Sequence, residues 1–358
     1  MAFDVADLSA FYAHEFDAVI DVRSPTEYAE DHVPGALNLP VFSDAERAAV
    51  GTIYVQDSPF KARKIGAAIL ARNTAAHVEG PLAEKEGGWR PLVYCWRGGQ
   101  RSGAFATVLS QIGWRAETVL GGYQAYRRQV FSALYDRPFP TRVILLDGNT
   151  GTAKTALLGR LARLGCQVLD LEGLAQHRGS VLGAVGAQPQ QKMFESRLAG
   201  ALCDLDPERP VIVEAESSKI GGLNVPPRLF AAMKAAPRIV VEAPLAARAA
   251  YLARAYGDVT DDRSELSKRL RRLIPLQGHA RVENWCALAM SGAFKELAAD
   301  LMQAHYDPRY AKSRARSDGQ VAARVVAQDL SEAALDDLAQ DLAQAAETVT
   351  PAAAQAPP

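Results

Sequence analysis

Cysteine is scarce in this chain. It occurs four times in 358 residues, as Cys95, Cys166, Cys203 and Cys286, with no C-x-x-C pair among them. That spacing excludes a disulfide framework and argues against a zinc site built on thiolates. An excess of one charge sign is also missing: Lys+Arg is 40, Asp+Glu is 41 and the net charge is −1. A chain coated in positive charge for nucleic acid is thereby excluded, but a local basic surface is not. No apolar run reaches the roughly 18 residues of a membrane helix. The start, MAFDVADLSAFYAHEFD, is acidic and lacks the basic opening of a signal peptide. These absences predict a soluble, cytoplasmic protein with no membrane partner.

What remains is ordinary globular composition, 48% hydrophobic and 23% charged, in a length that suits about two domains. Two β-first units are legible. Ala18–Val22, Pro91–Cys95 and Glu117–Leu120 read as short buried strands, with a helix over Ser102–Ile112 from its apolar spacing at Phe105, Val108, Leu109 and Ile112. The proline-bearing stretch 135–141 reads as a linker. Alternation then restarts, with strands at Arg142–Asp147, Gln167–Asp170, Pro210–Glu214 and Arg238–Glu242 and a helix from about Lys154 to Leu164. From Leu245 the chain reads as mostly helical. The expected domains are 1–134, 142–325 with a helical extension, an acidic helix over 326–347 and a disordered Ala/Pro-rich tail over 348–358. The fold class is α/β, with parallel sheets and helices.

The first chemical constellation is Cys95-Trp-Arg97-Gly98-Gly99-Gln-Arg101-Ser102, between a strand and a helix. A cysteine there faces unpaired N–H groups and the positive end of the helix dipole. Gly98 and Gly99 let the backbone curl, and Arg97 and Arg101 add positive charge. The loop is an anion cradle able to hold a thiolate, or a persulfide or selenide carried on it. With Asp21-Val-Arg23, Glu27-Tyr28 and His32-Val-Pro-Gly-Ala36-Leu-Asn38, the loop resembles a rhodanese domain over roughly residues 5–130. That resemblance implies that Cys95 takes the chalcogen, that Asp21 and Arg101 mainly hold the loop, and that Gly35 is structural.

The second is Gly148-Asn-Thr-Gly151-Thr-Ala153-Lys154-Thr155, again after a strand and opening a helix, the context a P-loop requires. Its N–H groups would wrap phosphate oxygens, Lys154 would neutralise the terminal phosphates, and Thr155 would ligate Mg2+ if a metal is present. The usual glycine before the lysine is Ala153 here, tolerated only if its φ stays negative. Strand Pro210–Glu214 ends in Glu214 and Glu216, where P-loop proteins place a metal- or water-orienting carboxylate.

The third is Glu172-Gly-Leu-Ala-Gln-His177-Arg178-Gly-Ser180, followed by Phe194-Glu195. Taken with Glu-Ala-Glu216-Ser-Ser-Lys-Ile-Gly and the two loops above, it resembles the tRNA 2-selenouridine synthase family, from about residue 5 to 320. The resemblance implies a transferase acting on tRNA with 2-thiouridine at the wobble position. Sulfur is replaced by selenium from selenophosphate, through an S-geranyl intermediate made from geranyl diphosphate. An enzyme supplying selenophosphate would be a partner, and no tightly bound cofactor is expected. Cys95 would serve the selenium step, either carrying the selenium or organising the anion site. Gly148, Gly151, Lys154 and Thr155 would hold a diphosphate. His177, Arg178, Ser180, Glu195, Glu214 and Glu216 would position substrate or metal. The other enzyme reading is a rhodanese-type sulfurtransferase fused to a small-molecule P-loop kinase, against which Ala153 counts.

A tRNA partner needs basic surface. One cluster is Lys268, Arg269, Arg271 and Arg272, near Arg263 and Arg281. A second is Arg309, Lys312, Arg314 and Arg316, and Trp285 and Tyr306 are nearby aromatics that could stack on a base. The neutral total conceals this. Residues 1–33 sum to −7 and residues 325–358 to −6, so the stretch between carries +12.

Overall fold

The computed structural model describes residues 2–178, 187–255, 257, 262–314 and 320–349. Two compact units emerge, residues 1–138 with 189–204, and residues 139–188 with 205–358.

The first unit holds a five-stranded all-parallel sheet in the order Ala2–Phe3, Glu117–Val119, Pro91–Tyr94, Ala18–Asp21, Leu37–Asn38. Pro91–Tyr94 is buried at all four positions, as expected of a central parallel strand covered on both faces. Helix Gln100–Ile112 follows it and buries Phe105 and Leu109, four residues apart, in a core with Ile20, Val22, Val93 and Trp114. Helix Gln191–Cys203, although inserted in the sequence of the second unit, also belongs here.

The second unit has its own parallel sheet, ordered Val321–Val326, Arg238–Glu242, Val143–Gly148, Val211–Glu214, Gln167–Leu169. Its central strand Val143–Gly148 is wholly buried and leads straight into the phosphate loop and helix Lys154–Arg163. Leu157, Leu158 and Leu161 of that helix are fully buried against Ile144, Ile212 and Leu338, each removal from water contributing roughly 1.5–3 kcal/mol before entropy is counted. A third cluster forms among helices Arg263–Arg271, His279–Ser291 and Phe294–Leu301 around Trp285.

The edge strand Val321–Val326 interrupts the stretch after Leu245 that reads as mostly helical. Most of its positions are exposed although five of its six residues, Val321-Ala-Ala-Arg-Val-Val326, are apolar, and so short a run does not by itself separate strand from helix. The C-terminal helix accordingly starts at Glu332 and not at 326, capped by Ser331, and runs to Thr348. Of the expected tail, 350–358 lies outside the described residues.

Candidate functional site

Strand Pro91–Tyr94 delivers Cys95 to the mouth of helix Gln100–Ile112. The side chain is 3% exposed. Ser102 Oγ donates to Cys95 Sγ at 3.3 Å, and the N–H groups of Ser102 and Gly99 also serve the sulfur. Burial pushes the thiol up, but these hydrogen bonds and the Arg101 charge outweigh it, and the thiol sits below its ordinary value. That is the electrostatics of a thiolate nest.

The loop is clamped from behind. Tyr123 N–H donates to Cys95 O at 2.8 Å and Gln124 N–H to Trp96 O at 3.0 Å. Gly98 sits at φ +64°, where a Cβ would lie 2.4 Å from Val119 O, so only glycine fits. Gly99 has open space around it. Arg101 pairs with Glu27 at 3.0 Å, and Arg97 is exposed. Asp21 acts on the loop through Arg23, which it holds at 2.6 Å and whose guanidinium lies 3.9 Å from the centre of the Tyr123 ring.

Glu195 does not join the phosphate loop. It is buried in helix Gln191–Cys203 within the first unit, where Arg127 pairs with it and Tyr135 Oη donates to it at 2.7 Å. Its partners come from far away in sequence, so adjacency to Phe194 holds no hint of this role.

In the second unit Lys154 Nζ donates to Gly148 O at 3.0 Å and lies 5.3 Å from the centre of the Tyr310 ring. Burial would discharge this lysine, but Tyr310, Glu216, Glu172 and Glu214 more than offset that and keep it positive. Gly151, at φ +86°, packs so close to Arg248 that a Cβ would lie 3.0 Å from its Cβ and carbonyl oxygen.

Ala153 contradicts the expectation of a negative φ. It occupies the left-handed region at φ +60°, ψ +27°, as the cap of helix Lys154–Arg163. The turn geometry is therefore kept without the usual glycine, at a cost of about 1–2 kcal/mol for an L-residue. Ala153→Gly should raise the melting temperature, by up to about 1 kcal/mol of stability, with ligand affinity retained. A lower melting temperature in a thermal scan would show that the buried Cβ matters more than the strain.

Three carboxylates gather beside Lys154. Oxygens of Glu172, Glu214 and Glu216 lie within 4.8 Å of one another. Thr155 Oγ1 donates to Glu172 Oε2 at 2.9 Å, and Glu172 N–H to Glu214 Oε1 at 2.8 Å. Glu214 Oε2 is buried without a hydrogen-bond partner. Burial pushes all three above the ordinary range, with mutual repulsion adding to the effect on Glu214 and Glu216, and Glu216 reaches about 8. An all-oxygen set with one orphaned carboxylate oxygen, next to the loop threonine, fits a hard divalent cation such as Mg2+. Sequence reasoning gives Glu172 no role of its own. Its acidic position just after the second strand of the unit is the one signal that points to it.

The loop opens into a cavity of about 990 Å3. Lys154, Thr155, Glu172, Glu216 and Arg178 line it, with an apolar wall of Phe230, Met233, Tyr251 and Leu252. His177 does not line it. Burial pushes its imidazole down, and its Nδ1 is buried without a hydrogen-bond partner. Ser180 lies outside the described residues, as does Arg316.

The basic clusters are placed differently from one another. Arg309, Lys312 and Arg314 line the phosphate-loop cavity instead of forming a separate face, and Arg314 pairs with Asp147 at 3.0 Å. In the other cluster Lys268 and Arg269 pair with Glu265, and Arg271 with Glu283, while Arg272 is exposed. Trp285 cannot stack on a base. It is fully buried, and its Nε1–H donates to Asp300 at 2.6 Å. Tyr306 lines the cavity. Among the described residues no helix is long and apolar enough to cross a membrane.

Comparison with known proteins identifies both units. A family model described as the tRNA 2-selenouridine synthase AAA domain matches residues 141–271, and one for the rhodanese-like domain matches residues 4–129. Among relatives, a tRNA 2-selenouridine synthase of Psychromonas ingrahamii is 33% identical over 79% of this chain and 75% of its own length. That of Nitrosomonas europaea is 34% identical over 68% of this chain and 64% of its own. That of Chromohalobacter salexigens is 34% identical over 82% and 86%.

Proposed function

Because the chain belongs to the tRNA 2-selenouridine synthase family, we propose that it replaces sulfur by selenium in wobble 2-thiouridine of tRNA. Selenophosphate, delivered in the cytoplasm by a supplying enzyme, is the selenium source. S-geranyl-2-thiouridine, made from geranyl diphosphate, is the intermediate, so the protein is both a geranyltransferase and a selenotransferase.

The observation that carries this reading is the mixed lining of the second-unit cavity. A half-buried cationic lysine and a helix N-terminus lie at one part, and Phe230, Met233, Tyr251 and Leu252 add apolar lining. A diphosphate on a hydrocarbon chain needs that combination.

In the first half-reaction Lys154 and the loop N–H groups take the diphosphate charge as it develops. The 2-sulfur bonds to the geranyl C1 while the C1–O bond breaks and diphosphate leaves. Thr155, Glu172, Glu214 and Glu216 would hold Mg2+, which supplies further charge neutralisation on the departing oxygens. Alkylation converts a poor leaving group into a good one. In the second half-reaction the selenium of selenophosphate, held at the Cys95 nest, adds at C2 and the geranyl thiolate departs and takes up a proton. Water then attacks phosphorus, the P–Se bond breaks, and phosphate leaves behind 2-selenouridine. Lys268, Arg269, Arg271 and Arg272 are the proposed tRNA-facing surface, with Arg272 contributing most because its neighbours are already paired.

The test is direct. Purified protein is incubated with thiouridine-containing tRNA, geranyl diphosphate and selenophosphate, and the nucleosides are read by mass spectrometry. Geranylated and then selenated uridine is expected. Absence of both, with ATP turnover on a small metabolite instead, would replace this reading by that of a kinase fused to a sulfurtransferase.

A further inference from the structure

We propose that helix Asp307–Arg314 is a second anion-binding jaw of the phosphate-loop cavity, and that Arg248 is the positioning residue that holds it there. This rests on the reading that the cavity takes a diphosphate ester.

The need for a second jaw follows from charge. Lys154 is the only cation of the loop itself, and it already faces Glu172, Glu214 and Glu216. A diphosphate monoester brings close to three further negative charges. A single lysine cannot neutralise that charge in a partly buried site. The helix supplies what is missing. Arg309, Tyr310, Lys312 and Arg314 all line the cavity. Arg309 and Lys312, three residues apart, share a helix face. Both are exposed and form no ion pair among the described residues. Arg314 is committed to Asp147, so Arg309 and Lys312 are the cations this helix turns to a ligand, with Lys234 lining the cavity from another helix.

The placement of this helix is built into the fold. Arg248 is 6% exposed. Its Nη1 and Nη2 make a two-pronged pair with Asp307, both at 2.9 Å, and Nη1 also donates to Thr150 O of the phosphate loop at 3.1 Å. One guanidinium thus ties the first residue of the cationic helix to the backbone of the loop. A planar fork can satisfy both at once, where a lysine ammonium would not. At the other end Tyr310 lies between the jaws, with Lys154 5.3 Å and Arg314 5.9 Å from its ring centre. Jaw and loop are therefore held together before any ligand arrives, which lowers the entropy cost of binding.

The test uses the full chain and inorganic pyrophosphate as the probe, by isothermal titration, with geranyl diphosphate and ATP in parallel. Arg309→Gln with Lys312→Gln removes two exposed charges and leaves the fold intact. We expect pyrophosphate affinity to fall about tenfold or more, the scale of losing one charge-assisted hydrogen bond, while tRNA affinity holds. Unchanged pyrophosphate binding with weakened tRNA binding would overturn the jaw and assign these cations to RNA. Asp307→Asn should raise KM for geranyl diphosphate with kcat nearly unchanged, and Arg248→Lys should not rescue the site as a merely structural cation would. Equal KM in Asp307→Asn and the wild type would remove the positioning role. Should the wild type bind ATP and not geranyl diphosphate, the prenyl reading fails, and the jaw is judged by whether the double variant weakens ATP.

Discussion

Cys95→Ala is expected to abolish selenation while geranylation proceeds. The only group lost is the sulfur that Ser102 Oγ, two backbone N–H groups and the Arg101 charge together stabilise. The neighbouring strand and loop keep their backbone hydrogen bonds, because Tyr123 and Gln124 bond the carbonyls of Cys95 and Trp96 and not their side chains. Selenated product should fall about 10³-fold, the scale of removing one member of a set of groups that act as a unit. S-geranyl-2-thiouridine should accumulate in its place. Nucleoside mass spectrometry on one reaction mixture reads both. Selenation surviving in this variant would remove Cys95 from the chemistry and leave the nest as a structural turn.

The reciprocal outcome is expected for Lys154→Ala. Geranylation should fall about 10²–10³-fold, as when a single fixed donor to a developing oxyanion is deleted. Two effects act in the same direction. The diphosphate loses its cation in the loop, and Glu172, Glu214 and Glu216 lose the positive charge that now offsets their crowding. Their protons are then held more tightly, which weakens any bound divalent cation as well. Selenation of tRNA supplied already geranylated should be unaffected, since the Cys95 nest draws on no residue of the phosphate loop. Geranyl diphosphate binding equal to wild type by titration would end the proposed role of Lys154.

Both of these side chains are legible in the amino-acid sequence alone. A thiolate nest and a phosphate loop are each written within about eight residues, because strand end, glycine turn and helix N-terminus must be contiguous to present N–H groups inward. The flanking strands are legible for the same reason, being short apolar runs buried on both faces. Where sequence and structure diverge, the information is not local. Strand Val321–Val326 is exposed at the sheet edge, and its short apolar run Val-Ala-Ala-Arg-Val-Val does not by itself distinguish strand from helix. An alanine at position 153 reads as incompatible with a left-handed turn, yet its neighbours hold it at φ +60°.

Two loops and the parallel α/β framework that presents them follow from the order of residues along the chain. Which distant groups join each loop is settled by packing in three dimensions. The fold brings Glu172 to Thr155, carries helix Asp307–Arg314 to Lys154 through Arg248, and takes Glu195 into the first unit against Arg127 and Tyr135. The physical reason is one of range. Backbone dipoles and turn sterics act between neighbours in sequence and can be read along the chain. Ion pairs, burial and shared cavities act between neighbours in space, and the chain reveals those only once it is folded.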